Sequence, residues 1–248
     1  MIEKAPLTTQ QVLALCEETR AVVELSRRGI DELWKIDGSN DVVQVPMQLL
    51  AQGFERFLKL TYALAFLKRE GYLPDARTFR KTYGHDLAKL CEDLLELVSI
   101  EADYTARPVV QEDLHFMRTD IDLRRYLRLL TTFGVWSRYY RFEAFLGRPN
   151  LDSKDDPDQE WREIESDALR ATDGWAELLA SPTGSGEVHR RVAEHVGHTL
   201  TRFARAISRM WTLGALHPEA RRHTATIGGF LYLNDTELGT RPDPDGRR

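Results

Sequence analysis

The sequence predicts an all-α protein, an antiparallel helical bundle followed by a helical C-terminal extension. Three observations predict it. Apolar residues recur every three or four positions almost throughout the chain, which is the period of an amphipathic helix. Turn-forming residues gather in a few short stretches, Asp37 to Asp41, Gly147 to Pro149 and Ser181 to Gly186. Strand-like patterning is limited to a weak signal at Thr226 to Leu233. At 248 residues, the chain is long enough for one sizeable core or for two small helical units sharing one.

Val12, Leu15, Cys16, Val22 and Val23 fall on one face of a first helix, with Thr8 or Thr9 as its cap. Asp37 to Asp41 stops this region, and Pro46 is placed as the first-turn proline of a second helix. That helix carries Leu50, Phe54, Phe57, Leu58, Tyr62 and Leu67 and is expected to end near Gly71. A long loop, Gly71 to Gly84, leads to a third helix from about His85, with Asp86 near its N-terminus and Leu87, Leu90, Leu94, Leu95 and Val98 as its stripe. A short helical piece, Glu112 to Met117, precedes a long helix from about Asp120 to Leu146. Gly147 and Pro149 end it, and Asp152 to Gln159 reads as an exposed acidic linker. Two more helices are expected, Asp158 to Ala180 and Gly186 to Leu213. The chain thus divides into a bundle over 1–148, an extension over 158–234 packing on it, and a disordered tail over 235–248.

Several functional classes drop out. The longest apolar stretch, Leu60 to Leu67, is interrupted by Thr61 and Tyr62 and is far too short to cross a bilayer, so no membrane partner is expected. The amino terminus lacks the basic and apolar regions of a secretory signal, and the expected location is the cytoplasm. Cys16 and Cys91 sit on apolar helical faces without a partner at ligand spacing, which reads as reduced core thiols. His195 and His198 lack a patterned carboxylate apart from Glu194, so neither a metal nor another cofactor is expected. Arginine outnumbers lysine by 27 to 7, and guanidinium suits planar contacts with carboxylate or phosphate.

Glu55 and Lys59, an apolar turn, a loop, and Gly84-His85-Asp86-Leu87 followed by Leu90 and Leu94 resemble the HEPN domain, a nucleotide-binding helical bundle of higher eukaryotes and prokaryotes. Arg138-Tyr139-Tyr140-Arg141 looks like the Arg-Tyr element that often closes the variety paired with nucleotidyltransferases. The resemblance covers about residues 8–147 and implies a homodimerising bundle linked to RNA or nucleotides, often in bacterial toxin–antitoxin or phage-defence settings. Active members of that family are metal-independent ribonucleases with four to six residues between an arginine and the histidine that follows it. The histidine takes a proton from the ribose 2′-hydroxyl while the arginine stabilises the phosphorane. Matches to that spacing run from Arg80 to His85, Arg190 to His195 and Arg191 to His198, whereas none begins at Arg138.

Three segments compete as sites. His85 reads first as part of a loop-to-helix junction with Asp86, and alternatively as a base near Arg80. The helix Gly186 to Leu213 sets Arg191, His195, His198, Arg202, Arg205 and Arg209 along one side of an apolar stripe. That ridge is either an RNA-binding or anion-binding surface, with His195 as base and Arg190 or Arg191 as charge stabiliser, or an internal ion-pairing face. The second version is favoured, because residues 150–180 hold ten acids against three bases and consecutive helices usually pack antiparallel. Around the helix Asp120 to Leu146, arginines alternate with aromatic residues, as single-stranded RNA recognition requires; the competing reading makes the aromatics core and the arginines a solvated face.

The leading expectation is an RNA- or nucleotide-associated binding and dimerisation module. Arg124, Arg128, Arg138, Arg141, Arg191 and Arg202 are its expected anion contacts. One alternative is a metal-independent endoribonuclease using Arg190 and His195 at a dimer interface. The other is a protein-interaction scaffold that binds no nucleic acid.

Overall fold

The computed structural model describes residues 7–37, 42–136, 140–147, 156–170 and 184–233. Among these, every regular element is helical. The first six are α1 (Thr9–Leu33), α2 (Gln44–Glu70), α3 (Ala76–Tyr83), α4 (Leu87–Ser99), α5 (Ala102–Thr105) and α6 (Pro108–Thr119). They are followed by α7 (Ile121–Trp136), α8 (Tyr140–Phe145), α9 (Pro157–Arg170), α10 (Gly184–Leu213), a 3-10 segment (Pro218–His223) and α11 (Thr224–Leu231). The all-α bundle expected from the sequence is the observed fold.

Local chemistry sets the boundaries. Thr8 caps α1 through a reciprocal box, accepting from Gln11 N at 3.2 Å while the Gln11 side chain accepts from Thr8 N at 2.8 Å. Gly71 ends α2 in the left-handed region, with φ 86°, and returns its N–H to Leu67 O. The loop expected from Gly71 to Gly84 contains α3, capped by Asp75, whose carboxylate accepts from Thr78 N at 2.7 Å. The weak strand signal at Thr226 to Leu233 is instead α11. A short apolar run does not distinguish the two by period, and among the described residues no strand is present to pair with it.

The α1 and α2 helices run antiparallel, with Ser26 against Gly53 and Glu18 paired with Arg56. Their backbones approach closely: a Cβ on Gly53 would lie 2.5 Å from Ser26 Oγ and 2.9 Å from Ser26 N. Besides α1, α2 packs against α4, α7 and α10, which makes it the central helix. The α10 helix runs alongside it in the same sense, with Phe203 against Phe54 and Trp211 against Phe57. Trp211 Nε1 donates to Thr61 Oγ1 at 2.9 Å, and that hydroxyl donates in turn to Phe57 O, so the buried indole and hydroxyl satisfy each other. Val192, Val196, Phe203, Ile207 and Met210 are buried in the same core as Leu50, Phe54 and Phe57. Cys91 lies in that core, and burial pushes its thiol up to about 12, which leaves it an inert apolar side chain.

Candidate nucleic-acid interface

The two parts of the resemblance, thirty residues apart in sequence, meet in space. Lys59 Nζ donates to Glu55 Oε1 at 2.5 Å and to Gly84 O at 2.7 Å, tying the α3–α4 junction to α2. Gly84 ends α3 at φ 50°, a conformation in which a Cβ is unfavourable, and turns its carbonyl to the lysine. His85 follows, 49% exposed, and its Nδ1–H donates to Glu55 Oε2 at 2.8 Å. An ionised carboxylate only accepts, so Glu55 fixes this tautomer and directs the lone pair of Nε2 outward. Asp86 caps α4 by accepting from Lys89 N. The junction reading of His85 is therefore observed, and it includes Glu55 as well as Asp86.

The helix α3 carries Arg77, Arg80 and Lys81, all exposed and without an ion pair among the described residues. Acids around them are engaged elsewhere. Glu55 is held by Lys59 and His85, Asp75 by the start of α3, Asp86 by the start of α4, Asp93 by Lys89 and Glu70 by Arg69. A chain of rings runs from α2 to the face of α3 that packs on it. Tyr72 meets Phe66 edge-on at 5.6 Å, Phe66 stacks on Tyr62 at 6.2 Å, and Tyr62 meets Phe79 and Tyr83 at 5.3 and 5.2 Å. Arg69 lies over Phe66 and Lys89 over Tyr83. Burial, then hydrogen bonds with Tyr62 and Asp93, push the Tyr83 hydroxyl far above its ordinary range, so it stays protonated.

The residues expected to act together on α10 are held separately. Arg190 bonds Glu187 and Glu194 on its own helix, and Arg191 bonds the same Glu187 at 2.8 Å. The two guanidiniums pull the Glu187 carboxyl down to about 2. His195 turns to α7 instead, where its Nε2–H donates to Asp122 at 2.9 Å with the ring edge against Tyr126. Further along, Arg202 lies 4.1 Å over the Phe116 ring, Arg205 is buried and donates to Leu233 O, and Arg209 makes two bonds to the buried Asp113, at 2.8 and 3.0 Å. Burial raises the Asp113 carboxyl above its ordinary value even against that pair.

On α7, Arg124 donates to Arg118 O, and Arg128 is exposed without an ion pair among the described residues. Of the aromatics interleaved with these arginines, Tyr126 is buried in the core, whereas Phe142 on α8 is exposed. Arg141 on α8 is bonded to Asp158. Arg138 lies outside the described residues. The acidic helix α9 does neutralise cations, but chiefly on α7: Arg125 reaches Glu160 and Asp167 at 2.7 Å each. Its ionic contact with α10 among the described residues is through His189, whose Nδ1–H donates to Glu165 at 2.9 Å.

A cleft of about 780 Å³ opens between the start of α2 and α8, α9 and α10. Asp156, Asp158 and Glu165 line it; the first two are matched by Arg162 and Arg141, and Glu165 also accepts from Trp161 Nε1 at 2.7 Å. With His189 on Glu165, the cations in its lining are already paired, which leaves it poorly suited to a polyanion. Among the described residues, no group of three or more His, Cys, Asp or Glu side chains is arranged to hold a metal ion. No helix there is long and apolar enough to cross a membrane.

Sequence reasoning passed over the ring chain and Arg125. The signal for the rings was present, since Tyr62 with Phe66 and Phe79 with Tyr83 are spaced to share a helix face. No protein-family model matches the chain significantly, and neither does any characterised protein or solved structure.

Proposed function

We propose that this chain is a HEPN-like, RNA- or nucleotide-associated binding and dimerisation module whose contact surface is the outer face of α3 with the α3–α4 junction. One observation carries the reading. Glu55, Lys59, Gly84 and His85 converge beside three exposed cations that no carboxylate among the described residues neutralises, while most arginines on α8 and α10 already have anionic partners. Unpaired surface cations are what phosphate contact requires, and affinity built on them falls steeply with salt. The expected result is salt-sensitive retardation of RNA in a mobility assay, weakened by Arg80→Ala with Lys81→Ala. RNA that migrates unchanged at low salt sinks the proposal. Its dimerisation half draws support from Phe142, Phe145 and Leu146, exposed together at α8, and a monomeric mass in solution at high concentration removes it.

The Glu55–His85 pair favours a second, catalytic reading. A histidine oriented by a carboxylate, with Nε2 outward and Arg80 five positions earlier, has the groups for metal-independent ribonuclease chemistry. In that version His85 takes the 2′-hydroxyl proton; Arg190 and His195, the pair expected from the sequence at a dimer interface, each bond a separate acid within the chain. Cleavage of an RNA pool in chelator, lost in His85→Ala and retained in His195→Ala, is the expected outcome. Intact RNA with the unaltered protein rejects this reading and leaves binding alone.

A further inference from the structure

We infer that the α2–α3 face takes a single-stranded polynucleotide and discriminates against a duplex, by stacking unpaired bases on the exposed Tyr72 and the half-buried rings behind it; this rests on the binding surface proposed above. Tyr72 is 61% exposed, and Phe66, Tyr62 and Phe79 are half-buried, so the ring chain begins at the surface and descends into the core. Its inner end is fixed by Tyr83, which is buried and packs 4.8 Å from Phe79. A row of rings anchored at one end and open at the other is ordered before any ligand arrives, so little side-chain entropy is lost on stacking.

The edges of the row are cationic. Arg69 stands over Phe66 at 5.9 Å and Lys89 over Tyr83 at 5.4 Å, each also paired with an acid, and one residue past Phe79 on α3 comes Arg80, exposed and without an ion pair among the described residues. Charge beside ring faces matches a chain whose phosphates and bases are both available. A duplex offers the phosphates but keeps its bases stacked on one another, so it engages the cations and leaves the rings unused. An acidic polypeptide likewise has no flat groups for the rings. The same chemistry is shared by RNA and single-stranded DNA, since nothing in the row is specific for a 2′-hydroxyl.

The test is fluorescence anisotropy with the full chain, using labelled oligouridine, oligothymidine, a blunt RNA duplex of matched length and polyglutamate. Single strands are expected to bind about ten-fold tighter than the duplex. Tyr72→Ala is expected to remove about that factor for single strands and leave duplex affinity unchanged, and Tyr72→Phe to restore it. Tyr72 is exposed just beyond the Gly71 cap of α2, so its replacement leaves the core intact, and an unchanged thermal melt verifies this. Equal affinity for single strands and duplex, or for polyglutamate, with Tyr72→Ala neutral, overturns the stacking inference while the cationic surface stands. Absence of binding to every probe overturns the surface as well. Tight binding of oligouridine alone, or oligothymidine alone, identifies which of the two polymers is taken.

Discussion

The α3 helix and the first turns of α10 carry similar cationic residues: Arg77, Arg80 and Lys81 followed by His85 in one, Arg190, Arg191 and His195 in the other. Their surroundings differ. On α10, Glu187 and Glu194 lie three or four positions from the arginines, so the helix closes its own ion pairs, and Asp122 meets the histidine from α7. On α3 the acids at either end are spent on capping, and the one carboxylate that reaches His85 also holds Lys59. Similar cations thus give an internally neutralised ridge in one place and an open surface in the other. What decides is the position of acids relative to caps and helix turns.

The strongest way to probe the paired set is at its buried end. Arg209→Ala strands the Asp113 carboxylate, and the expected cost is about 3–5 kcal/mol in urea unfolding at neutral pH. Asp113 already titrates above its unfolded value, so its unfavourable effect grows as pH rises through the ordinary carboxylate range and is relieved on acidification. The deficit of Arg209→Ala relative to the parent should therefore shrink in mildly acidic buffer; a deficit that grows there contradicts the assignment. Next comes the direct contrast. Arg80→Glu with Lys81→Glu should lower the salt slope of RNA binding by about two, whereas Arg190→Glu with Arg191→Glu should leave the slope unchanged. Equal losses in both double variants would erase the distinction between the two helices.

Smaller effects sharpen it. Arg125→Ala releases Glu160 and Asp167 from α7, for which a loss of about 1 kcal/mol is expected, read as a lower melting temperature. The smallest is a pH effect. Glu187 is held down to about 2 by Arg190 and Arg191, so its contribution is present above the ordinary carboxylate value and disappears as pH falls from there toward about 2. Carboxyl NMR of Glu187 should follow that course in the parent and return to the ordinary range in Arg190→Ala with Arg191→Ala.

Helix identity was legible because period and caps agree locally. Thr8, Gly71 and Asp86 each occupy the cap that the sequence suggested, and Val192 to Met210 bury the face that their spacing defined. What was not legible required knowledge of neighbours. Tyr126 and Arg125 are adjacent in sequence, yet one is core and the other the hub of an ion-pair network, because α9 covers only one side of α7. His189 and His195 look interchangeable as letters, but their bearings on the helix differ by about 120°, which sends them to Glu165 on α9 and Asp122 on α7. The convergence of Glu55 with His85 depends on the path of α3, which the sequence left as loop.

The bond between Trp211 and Thr61 joins positions 150 residues apart and has a consequence for synthesis. The α1–α2 hairpin leaves the ribosome long before the helix that covers Phe54 and Phe57 has been translated. A product ending before Gly184 retains an apolar trough along its central helix and a Thr61 hydroxyl that lacks its indole donor. Completion of the polypeptide is thereby written into its surface, where proteases and chaperones read it.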